Sequence, residues 1–214
     1  RLAIFAFAGL SLSACAFGDA KLKVAFDPAS AKAGVLSEAP ATTVDLKDVE
    51  DARAEKPQIG YKRNGFGMKT ADILSVKPAP EIVKDALTAA LEKNGHTIGD
   101  SRYAVKTKLN KFWFDAKTGL VTIEFYGSVQ AEISVVNEPA SAEIYTEIFD
   151  GYHSEKTGGG LSKTWTRVMN AALADLVNKV NLSPAFKDAL TAAGTTAPAP
   201  AVSAVPVPTV EAGA

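Results

Sequence analysis

Residues 120–136 read LVTIEFYGSVQAEISVV, and the alternation within them decides the fold. Val121, Ile123, Phe125, Val129, Ala131, Ile133 and Val135 share one parity, while Thr122, Glu124, Ser128, Gln130 and Glu132 take the other. A period of two held over that length predicts a strand with one buried face and one wet face. Just upstream, SRYAVKTKLNKFWFD (101–115) places Tyr103, Val105 and Leu109 against Lys106, Lys108 and Asn110, and AKTG (116–119) reads as a hairpin turn. Downstream, NEPA (137–140) turns the chain again. SAEIYTEIFDGYH (141–153) then alternates Ile144, Thr146 and Ile148 with Glu143, Tyr145 and Glu147. Three consecutive strands joined by short turns predict an antiparallel meander.

Two longer segments carry the helical period. PEIVKDALTAALEKNG (80–95) gathers Ile82, Val83, Ala86, Leu87, Ala90 and Leu91 on one stripe, with Pro80 in its first turn and Gly95 at its end. After a flexible entry, SEKTGGG (154–160), a helix over Leu161–Val180 has the stripe Leu161, Trp165, Val168, Met169, Ala172, Leu173, Leu176 and Val180. Ser183 and Pro184 suit the cap and first position of a short last helix through Phe186 and Leu190. Earlier, KLKVAF (21–26), TTVDLKDV (42–49) and QIGYKR (58–63) read as short strands, with a connection over 27–41. The glycines of RNGFGMKTAD (63–72) mark an exposed turn; a phosphate-cradling loop needs a third glycine with a helix behind it. The expected class is α+β: an antiparallel meander sheet with two main helices packed on one face.

The ends read differently. Leu2–Leu12 is an uncharged run behind Arg1, too short to cross a bilayer as a helix and of the length of a secretory h-region. It is followed by Leu12, Ser13, Ala14 and Cys15, which resemble the lipobox of bacterial lipoproteins. That resemblance implies a diacylglyceryl group on the Cys15 sulfur, cleavage before Cys15 and an N-acyl chain on the new terminus, with no other cofactor. Several chains on one residue give stable membrane attachment. Ala16, rather than Asp, follows the cysteine, which favours the outer membrane over the inner. At the other end TTAPAPAVSAVPVPTVEAGA (195–214) is built from Ala, Pro, Val and Thr without period, and reads as a disordered tail. The chain thus divides into a signal peptide (1–14), a lipidated tether (15–20), one α+β periplasmic domain (21–193) and the tail (194–214).

Composition narrows the function classes. The 214 residues are 47% hydrophobic and 22% charged with net charge −1, so no basic field points to nucleic acid. Two histidines and one cysteine leave no metal site of the usual imidazole or thiolate kind. No G-x-S-x-G elbow occurs. His96, beside Gly95, suits a structural role at a helix end, and His153 lies within sequence reach of Asp150, Ser154 and Glu155. Asp48, Glu50 and Asp51 lack the spacing of a calcium loop. An enzyme is not expected. One candidate recognition surface remains: Lys106, Lys108 and Lys111 with Trp113 close by, a face suited to acidic headgroups or carboxylates, or else a solvated face whose lysines guard an edge.

Taken together, the lipobox, VDLKDVEDAR (44–53), PAPEIVKDALTAALEKNG (78–95), TIEFYGSVQAEISV (122–135) and WTRVMNAALADLVNKV (165–180) resemble the YajG-like lipoproteins, over about Cys15 to Leu190. The resemblance implies a periplasm-facing envelope lipoprotein with no established activity. The expected role is an interaction or scaffold module anchored in the outer membrane, with an envelope protein or a second copy of itself as partner; the alternative is a module binding a small ligand or lipid.

Overall fold

The computed structural model describes residues 18–158 and 162–195. Leu12, Ser13, Ala14, Cys15 and the C-terminal tail from residue 196 lie outside the described residues. Nine strands are present among those described: β1 (Ala20–Leu22), β2 (Thr43–Leu46), β3 (Glu50–Asp51), β4 (Gln58–Arg63), β5 (Lys69–Ser75), β6 (Thr97–Ile98), β7 (Tyr103–Thr118), β8 (Ile123–Asn137) and β9 (Ala142–Thr157). The helices are α1 (Ala79–Lys93), α2 (Ser162–Asn181) and α3 (Pro184–Thr195).

The meander of β7, β8 and β9 is antiparallel along its whole length. The rest of the sheet is not, and this corrects the expectation of a purely antiparallel one. β2, β3 and β4 follow one another along the free edge of β7, all parallel to it: Asp45 opposite Ala104, Glu50 opposite Lys108, Gly60 opposite Phe114. β5 pairs antiparallel with β4, and β1 lies parallel on β5. The sheet is therefore mixed, because short early segments line up against one long strand rather than folding back on each other.

Three further differences have physical causes. The β7–β8 turn falls at Gly119–Thr122, where the Gly119 amide donates to the Thr122 carbonyl at 2.8 Å. Val121 therefore stands in solvent instead of the core. Lys69–Ser75 forms a strand, and its first four residues fall within the stretch expected as an exposed turn. In β9, Tyr145, Glu147, Phe149 and Gly151 lie opposite the inward residues of β8, which leaves Ile144 and Ile148 on the exposed face. Ser154–Thr157, expected as a flexible entry, continue β9.

The core joins the inner face of the sheet to the helices. Phe112, Phe114, Val129, Ala131, Ile133 and Val135 are buried against Val168, Met169, Ala172, Leu173 and Leu176 of α2 and Ile82, Val83 and Leu87 of α1. Gly127 and Gly151 let α2 approach closely: a Cβ on Gly127 would sit 3.0 Å from the Met169 sulfur. Ser183 caps α3 by accepting from the Phe186 amide at 3.1 Å, and it donates to Glu147 at 2.9 Å. That ties α3 to the start of β9 and seals the lower end of the core with buried Phe186 and Leu190.

Candidate functional site

The four residues singled out on β7 come together, but by a route that simple alternation does not give. Lys106 and Lys108 share one parity, Lys111 and Trp113 the other. A bulge between Leu109 and Lys111 leaves Asn110 as an extra residue and resets the parity. Beyond it Phe112 and Phe114 enter the core, while Lys111 and Trp113 rejoin the lysines on the outer face.

That outer face is three strands wide. Its rungs are Lys106–Ser134–Thr146, Lys108–Glu132–Ile148, Lys111–Gln130–Asp150 and Trp113–Ser128–Tyr152. The lysines are matched by acids. Lys106 pairs with Glu138 at 3.0 Å, and Lys108 lies between Glu50 on β3 and Glu132 on β8. The face therefore has no net basic field to draw an acidic surface from a distance. Its apolar content is more distinctive: Ile144, Ile148 and Tyr152 are about half exposed, and Tyr152 packs on Tyr126 with centroids 6.3 Å apart. Trp113 stands edge-on to Tyr61 at 5.0 Å. Beside it a cavity of about 450 Å³ is lined by Arg53, Glu55, Lys111, Trp113, Asp115 and Tyr126. Arg63 fixes Asp115 with two bonds of 2.8 and 3.0 Å. Burial alone would raise the Asp115 pKa, but the Arg63 guanidinium and the Ala116 amide hold the carboxyl below the usual range.

A second cavity, walled by residues far apart in the chain, opens on the helix side of the sheet near the β7–β8 turn. It measures about 380 Å³ and is walled by Phe114, Phe125 and Trp165, with Arg63, Asn64 and Thr70 among its polar lining. The indole of Trp165 lies 5.4 Å from the Phe114 ring, and its Nε1–H is buried without an acceptor. A buried donor in that state costs about 1–3 kcal/mol.

The remaining titratable candidates are engaged elsewhere. The His96 ring is buried, and burial, opposed by the Leu36 backbone, pushes its pKa below the ordinary histidine value. The backbone of His96, rather than its ring, meets the end of α1, donating to the Leu91 carbonyl at 3.0 Å. His153 approaches Glu155 at 3.4 Å, but Arg167 holds the same carboxylate at 2.5 Å. Asp48 pairs with Lys84 and Asp51 with Arg53. Among the described residues no three His, Cys, Asp or Glu side chains converge.

Residues 38–191 match the model of a protein family described as uncharacterised lipoprotein. None of the curated proteins matches the chain. Among solved structures the chain is similar to a protein from Xanthomonas campestris at 12% identity, over 76% of this chain and 90% of that one, with a TM-score of 0.49. It is also similar to a minor lipoprotein from Acinetobacter baumannii at 9% identity, over 66% and 88% of the two chains, with a TM-score of 0.40. A third similarity is to the PelC dodecamer from Paraburkholderia phytofirmans, at 12% identity over 72% and 92%, with a TM-score of 0.32.

Proposed function

Because the chain belongs to this family of uncharacterised lipoproteins, we propose that it is a periplasm-facing envelope lipoprotein, anchored through acyl chains on Cys15, whose outer sheet face docks a protein partner. Within the family we read it as YajG-like, on the motifs quoted above, and assign it to the outer membrane because Ala16 follows Cys15. Neither assignment bears on how the sheet face works.

The observation that carries the docking reading is the outer face of β7, β8 and β9. Three strands at about 4.8 Å spacing and about 50 Å long offer roughly 700 Å², close to one partner's share of a standard interface, about 800 Å². Half-exposed Ile144, Ile148 and Tyr152, with Trp113 on the Tyr152 rung, supply apolar and aromatic anchors, and the charges around them supply the polar rim that such interfaces show. Catalysis is not part of this reading.

The test is native mass spectrometry of the lipidated chain extracted gently from its own membrane. A defined homo-oligomer, or a stoichiometric second envelope protein, is expected, and Ile148→Glu is expected to dissociate it while leaving the fold intact. An oligomer that survives Ile148→Glu, or a bare monomer before and after crosslinking in the cell, overturns the docking face. A monomer with a small added mass supports a second reading, ligand binding in the 380 Å³ cavity, which its aromatic walls Phe114, Phe125 and Trp165 favour.

A further inference from the structure

The strand registers define two poles. Ala20, Ile73, Gly60 and Phe114 lie on one level across β1, β5, β4 and β7. Counting on from Gly60 and Phe114 brings Asn64 level with Thr118, so the β4–β5 and β7–β8 turns begin at the same height. Both turns are tightly tied. Asn64 accepts from the Phe66 and Met68 amides at 3.0 Å each, and its own amide donates to the Met68 carbonyl at 3.0 Å. Gly119 closes the other turn onto Thr122.

Turns on a solvated surface are ordinarily filled by Gly, Asn, Asp, Ser and Pro. Here their outermost side chains are Phe66 and Met68 on one and Leu120 and Val121 on the other. Phe66 is 90% exposed, Val121 87%, and Leu120 has no cover at all. Exposed Lys117, Lys156 and Lys163 sit at the same end of β7, β9 and α2. Apolar tips with lysines behind them, Lys117 and Lys156 flanking Glu124 on one rung, match the division of an interfacial segment, with the apolar groups in the acyl boundary and the ammonium groups among the headgroups.

The N-terminal chain leaves at this same pole. The Gly18 carbonyl accepts from Lys62 at 2.6 Å, one residue before β4 ends, and Asp19 accepts from the Asp72 amide at 3.1 Å. Two residues lie between Gly18 and Cys15, so three chain steps give a reach of at most about 11 Å. An acyl group on Cys15 is therefore confined to the neighbourhood of the two turns.

We infer that this pole lies on the lipid surface, with Phe66, Met68, Leu120 and Val121 entering the headgroup boundary and the long strands standing up from the membrane. The inference rests on the reading of Cys15 as lipidated. It is tested with the full-length lipidated protein in vesicles of phosphatidylethanolamine and phosphatidylglycerol. Phe66→Cys, Leu120→Cys and Ala142→Cys each carry an environment-sensitive NBD fluorophore; Ala142 opens β9 at the opposite pole. A thioether-linked Cys15 does not react with the label. Emission from positions 66 and 120 is expected to shift to the blue and rise several-fold, and to be quenched by brominated lipid, while position 142 reports water. Water-like emission from all three positions on protein that floats with the vesicles overturns the orientation and leaves the anchor standing. Labelling of the parent chain at Cys15 together with failure to float overturns the anchor, and this inference with it.

Discussion

At Gly151 the backbone of β9 meets α2 with no room for a methyl group. A Cβ there would lie 2.7 Å from the Leu176 amide nitrogen and Cβ, and closer still to the Ala172 carbonyl oxygen. These are backbone and packed atoms, so the helix itself would have to move, at about 3 kcal/mol. Gly151→Ala is expected to lower the unfolding free energy by that amount in urea titrations, whereas Gly65→Ala, with open space around its Cβ, stays within about 0.5 kcal/mol. His96 supplies a pH dependence. Burial holds its pKa below the ordinary value of 6.5, so in the folded state it binds its proton less readily than in the unfolded chain. Stability is then complete above pH 6.5 and falls as pH drops through that value, with a slope of up to about 1.4 kcal/mol per pH unit. Denaturation measured between pH 7.5 and 5.5 is expected to show this slope, and His96→Leu is expected to flatten it.

β9 is a 16-residue strand paired only to β8 among the described residues, which makes it a long free edge. Two side chains of α2 reach over to block it. Asp175 accepts from the Tyr152 amide at 3.0 Å, and Lys179 donates to the Asp150 carbonyl at 2.5 Å. Occupied edge groups cannot template another strand. Asp175→Ala frees one of them to water, so the expected loss of stability is under about 1 kcal/mol. The expected gain is concentration-dependent association, visible by light scattering at protein concentrations where the parent stays unchanged.

The same element shows what the sequence could and could not say. Phe125 to Val135 alternate without interruption, so the central strand and its buried face were legible. In β9 both parities carry large apolar groups, Ile144 and Ile148 on one and Tyr145 and Phe149 on the other. Alternation cannot choose between them there; the register against Val135 and Ala131 does. Asn110 lies between Leu109 and Lys111, and Phe112, Trp113 and Phe114 put aromatic groups on both parities, so nothing marks Asn110 as the bulge that brings Lys111 and Trp113 round to Lys106 and Lys108. The four candidate residues share a face, but the pairing of Lys106 with Glu138 and the placing of Lys108 between Glu50 and Glu132 depend on strand pairing that a short segment does not encode. The Trp165 cavity was out of reach for the same reason, since its walls come from three separate elements.

At the scale of the molecule, the two proposals assign the chain two directions. The outer sheet face looks sideways, and the poles lie along the strands. α3 runs to Thr195 at the pole opposite Gly18, where Gly194 sits against Thr42, three residues beyond the level of Ala104. Sixteen residues of β7 set the distance between the poles at about 50 Å or less. With the proposed acyl anchor at Cys15, a tension between the lipid and whatever grips the far end would run parallel to the strands. Such a pull shears β1 along β5, loading Ala20, Lys21 and Leu22 together with the buried Leu22 and Val24 side chains, where a pull across the sheet would unzip the same contacts one at a time. Mechanically the domain is a strut: it keeps a fixed stand-off under load and gives up no slack until the whole ladder slips.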